Sequence, residues 1–131
     1  MLEHHSISTA LAALEHSPLS RKKAMLLALL IDAAIDARAA DDLLAHRVTV
    51  AKVHPALALV MELCAMREDG PSLILEPVTI PATDTASLIE ADYMVSMYNS
   101  GTVQRVRLAW PDGRREDALD ILRRAVAALE R

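Results

Sequence analysis

The sequence predicts a single α+β domain spanning residues 1–131. It has three N-terminal helices, one of them long, and a small antiparallel sheet with a hairpin at 93–110. A C-terminal helix packs on that sheet. Three observations carry this reading. Ala24–Ile31 has no charge and Pro55–Met66 has one, Glu62, so both runs read as helices needing cover on nearly every side. Residues 93–110 alternate with period two around Asn99-Ser100-Gly101. Leu119, Leu122, Val126 and Leu129 recur at three- and four-residue spacing.

The first helix is short. Ser6 or Ser8 caps it, Leu11 and Leu14 give it an apolar side, and it ends before Ser17-Pro18. A long helix follows, capped by Ser17 with Pro18 in its first turn, or by Ser20. It runs through Met25, Leu29, Ile35 and Leu43–Leu44 to about His46. From Leu19 to Arg47 its length is roughly 43 Å at about 1.5 Å per residue, beyond the roughly 30 Å of a small domain. Such a helix must kink, protrude or pack against a second subunit. His54-Pro55 starts the third helix, and Gly70-Pro71 stops it.

Leu73–Ile80 reads as a strand. Pro77 removes a ladder donor, which places it at a sheet edge or at a bulge. Residues 82–91 form a polar connection. Tyr93–Tyr98 and Thr102–Trp110 then pair across the Gly101 turn, with Val106, Leu108 and Trp110 on one face and Arg105 and Arg107 on the solvent side. Pro111-Asp112-Gly113 is a tight turn, and the last helix begins near Arg115. Glu116 and Asp117 sit in its first turn, and Asp120 lies four residues from Arg124.

Composition excludes several function classes. The chain carries no Phe, so its core is aliphatic, assembled from Leu, Ala, Val, Ile and Met. Arg outnumbers Lys by 11 to 3, a composition that points to a GC-rich bacterial gene. Residues 1–92 hold 7 basic and 13 acidic side chains and residues 93–131 hold 7 and 5, for a net of −4. That balance argues against a dedicated nucleic-acid binder. The single Cys64 excludes an internal disulfide and fits a reducing cytoplasm. Asp32 and Asp36 interrupt the apolar run that would otherwise resemble a signal peptide or a membrane span.

No catalytic constellation emerges. The glycines, Gly70, Gly101 and Gly113, are isolated turn residues and form no phosphate cradle. Cys64 sits in the most apolar helix and reads as core. Asp42 and His46 share a helix face without a second ligand pair, so no metal and no cofactor is expected. Asp32 and Asp36 share another face with no cation at helical spacing. They face water, meet Arg side chains from the C-terminal third at an interface, hold a divalent cation or do acid–base work. Arg105, Arg107 and Tyr98 offer contacts to a ligand or partner on the hairpin. Met61, Met66, Met94 and Met97 fill core gaps.

The reading that follows is a non-enzymatic interaction or regulatory module, cytoplasmic and homodimeric, with Met25, Leu26, Leu29, Leu30, Asp32 and Asp36 at the interface. Pro55–Met66 is then the central helix, and Ala24–Ile31 is the surface that a second subunit covers. The alternative is a small-molecule or metal-binding protein, or a small enzyme, with a pocket between helices and sheet.

Overall fold

A computed structural model describes residues 2–80 and 102–130. Five helices and three strands follow in chain order: α1 Leu2–His16, α2 Arg21–Ala37, α3 Leu43–Val53, α4 Pro55–Cys64, β1 Ser72–Thr79, β2 Thr102–Ala109, β3 Arg115–Asp117 and α5 Ala118–Leu129. The fold class is α+β, as the patterning predicts. Among the described residues no helix is long and apolar enough to cross a membrane.

Ser20 is the cap that starts α2, its hydroxyl accepting from the Lys23 N–H at 3.1 Å, and Ser17-Pro18 belongs to the preceding turn. Ala24, Leu27, Ala28, Ile31, Ala34 and Ile35 then fall on one stripe, and all are buried. Half of that stripe is Ala, which lets neighbours approach closely. α1, α4, α5, α3 and β1 all contact α2. The central helix is therefore Arg21–Ala37. Pro55–Cys64 is its neighbour, contributing Leu57, Val60 and Leu63 to the same core. α1 begins earlier than a Ser6 or Ser8 cap allows and buries Ile7, Ala10 and Leu14 against α2.

The predicted continuous helix is two helices. α2 stops at Ala37, which limits it to about 26 Å, the width of a small domain. After the break Asp42 caps α3, its carboxylate accepting from the Ala45 N–H at 3.2 Å. A short acidic side chain placed this way stabilises a helix start rather than a helix interior. α3 has no buried residue.

α4 starts at His54-Pro55 as read from the sequence, but it ends at Cys64, before Gly70. Met66 adopts a left-handed backbone, with φ of 52°, and closes the helix in the place usually taken by Gly. Gly70 serves a second turn, donating its N–H to the Arg67 carbonyl. Met66 is 67% exposed, so it fills no core gap; Met61 does pack against the core.

The sheet order is β1-β2-β3, antiparallel throughout, with β2 central. Pro77 lies on β1, an edge strand among the described residues, opposite Gln104. Leu73, Val106 and Leu108 share the face that meets the helical core, where α5 covers β2 with Leu119, Leu122, Val126 and Leu129. Pro111-Asp112-Gly113 makes the expected turn, with Gly113 at φ 101°. The chain after it pairs with β2 as β3 before Asp117 caps α5, so the helix starts three residues later than the pattern suggests. Tyr93–Tyr98 and the turn at 99–101 lie outside the described residues.

Because Met66 sits where L side chains are disfavoured, Met66→Val should lower stability by about 1–2 kcal/mol. Met66→Gly should be tolerated. Urea unfolding checks this, and equal midpoints for the two variants would contradict a left-handed helix end.

Candidate functional site

The two acidic residues of the predicted interface meet an arginine within the same chain. α3 folds back along α2 and sets the Arg47 guanidinium between them. Nη2 lies 2.7 Å from Asp32 Oδ1, and Nη1 lies 2.8 Å from Asp36 Oδ1. The planar fork of Arg suits this bridge because its two terminal nitrogens point in different directions. Burial works against the Arg47 charge, but hydrogen bonds and charge from Asp32 and Asp36 outweigh it and raise its pKa. These carboxylates are thus neither bare nor open to a cation. No group of three or more potential metal ligands occurs among the described residues.

Arg47 is fifteen and eleven residues beyond its partners, outside helical spacing, so a search along α2 cannot find it. The available signal was Asp42 as a helix cap, which implies a break and a returning helix. Asp42 itself does not pair with His46 as a side-chain unit: its carboxylate serves the cap, and its carbonyl accepts from the His46 N–H.

Cys64 sits next to this bridge, half-buried. Burial first, then the Asp32 charge, push its thiol up to about 12, with Arg47 pulling weakly the other way. A thiol held neutral is a poor nucleophile. The sequence reading of Cys64 as a packing residue agrees with this environment.

The second cluster lies on the sheet face turned away from the helices. Glu76 stands opposite Arg105 in register. Its carboxylate receives Arg115 Nε at 3.4 Å and Arg107 Nη1 at 3.8 Å. Arg105 is only 8% exposed and Val103 on the same face 1%, so this is not a solvent face as alternation suggests. Arg107 keeps a buried Nε without a hydrogen-bond partner among the described residues. Arg114 instead covers the Trp110 ring at 4.3 Å. Arg107 and Arg115 share Glu76, Arg105 is buried and Arg114 lies on Trp110, so the four arginines do not form one exposed basic patch. Tyr98 lies outside the described residues.

The apolar members of the predicted interface divide in two. Met25 and Leu30 lean on the core, half-buried. Leu26 is 53% exposed and Leu29 is 43% exposed, three residues apart on the same side of α2. Searches of known protein families, curated proteins and solved structures found no match to this chain.

Replacing Arg47 with Gln should release α3, because the two carboxylates then face each other without a cation. Hydrogen exchange should accelerate across residues 43–53 and leave Leu27 and Ile31 protected. Global stability should fall by about 1 kcal/mol, the modest value expected of partly exposed ion pairs. At pH 8 iodoacetamide should alkylate Cys64 at least about tenfold more slowly than glutathione, since the thiolate fraction falls as the pKa rises. Equal rates would place that thiol in open water.

Proposed function

We propose that this chain is a non-enzymatic protein-interaction module that forms a homodimer through the outer side of α2. The observation that carries the proposal is the exposure of Leu26 and Leu29 on the helix that organises the core. An apolar pair on the most firmly anchored helix has a fixed geometry, so little ordering cost is added on association. Met25 and Leu30 support it from below, and the partly exposed Asp32 and Asp36 border it. Two-fold pairing of one patch with itself is the commonest closed arrangement for such a surface.

The chemistry of the polar groups supports a binding role over catalysis. The paired carboxylates are engaged by Arg47, and the thiol is held neutral. A single unreactive thiol also suits a reducing cytoplasm.

Sedimentation velocity tests the proposal. The wild type should sediment as a dimer at high concentration, and Leu26→Arg combined with Leu29→Arg should give a monomer with an unchanged circular dichroism spectrum. Leu44→Arg, on the exposed side of α3, should leave the dimer intact. A wild type that stays monomeric at high concentration removes this reading.

A further inference from the structure

The surface beside the α2 patch has a different chemistry. A groove of about 870 Å³ runs between the start of α2, the end of α4 and β1. Met25, Leu63 and Leu73 form its base, the second of them buried. Leu19, Met66 and Leu75 line it higher up and are 38%, 67% and 46% exposed. Such a concentration of large exposed apolar side chains in one concavity marks a contact surface.

Its rim is cationic. Arg21, Lys22 and Arg67 line the groove, and among the described residues no Asp or Glu does. Glu68 and Asp69 follow Arg67 in the chain but turn elsewhere. None of the three cations takes part in an ion pair among the described residues. α2 has no acidic residue in its first turn, so the positive end of its dipole adds to the same field. Unopposed cations around an apolar trough complement a ligand that is apolar and anionic together.

We infer that this groove docks a short acidic peptide segment with apolar side chains, supplied by a partner protein. A second copy turned about a two-fold axis would set Arg21, Lys22 and Arg67 against themselves, so groove-to-groove pairing is electrostatically opposed. A flat bilayer reaches the exposed Met66 and Leu75 but not the half-buried Met25 and Leu73 at the base, which an extended peptide can contact. A peptide fills a trough. Met66, unbranched and largely exposed, adapts to side chains of different shape. The inference goes beyond self-association and does not require it.

The test begins with a displayed library of random short peptides selected on the full chain and counter-selected on a Lys22→Glu, Arg67→Glu double variant. Enriched peptides should combine net negative charge with apolar residues. A fluorescein-labelled copy of one should bind wild type with an affinity that falls as salt rises. It should bind the double variant about tenfold more weakly. Sedimentation of Arg67→Glu alone, which lies outside α2, should match wild type while its peptide binding weakens, so a failed dimer and a failed groove are read separately. Enrichment of neutral or basic peptides, no enrichment, or equal binding to the double variant overturns the inference. So does binding to phosphatidylserine vesicles in place of peptide.

Discussion

A core without phenylalanine must fill its volume with many small aliphatic side chains, and α2 is where that requirement is met. Ala24, Ala28 and Ala34 let three other helices approach closely, while Leu27, Ile31 and Ile35 supply the bulk between them. Interiors pack at near-crystalline density, so a stripe this regular leaves little freedom in where α1, α4 and α5 lie. The sheet turns Val106 and Leu108 toward this core, and α5 packs on β2 there. Enlarging any of the buried alanines would push several elements apart together.

That arrangement uses one side of α2 completely and leaves the other in two states. Its C-terminal half is shielded by α3 through Arg47, and its N-terminal half stays open at Leu26 and Leu29. The break at residues 38–42 decides this division. An unbroken helix would have carried Arg47 away from Asp32 and Asp36 and left like charges adjacent along a bare face. Local capping by Asp42 and long-range pairing by Arg47 favour the same break, the kind of agreement between levels that singles out one structure.

Features governed by neighbouring residues were legible in the sequence. The α5 stripe, the Pro55 start and the Gly113 turn each follow from a few adjacent side chains. Pro77 alone points to an edge or a bulge for β1, and among the described residues β1 is an edge strand. Features set by distant partners were not legible. Arg105 looked solvent-facing because alternation shows which side a residue is on and not whether that side is covered. α2 and α4 have similar composition, and only packing shows which is the hub. Gly70-Pro71 is a strong stop signal, yet α4 ends at Cys64, and nothing local marks Met66 as left-handed. Of the candidate site, Leu26 and Leu29 were visible as apolar residues, but the cation that joins Asp32 to Asp36 lay in a part of the sequence read as continuous helix.

The Arg114–Trp110 stack has an optical consequence. Trp110 is the sole indole of the chain, half-buried at the end of β2, with a guanidinium over its ring. It lines one cleft together with Arg47, Val48 and Ala51 of α3. Its emission therefore originates at the junction of the sheet turn and α3, a helix without a buried residue. The protein contains a native fluorophore beside α3, so the position of that helix can be followed without attaching a dye.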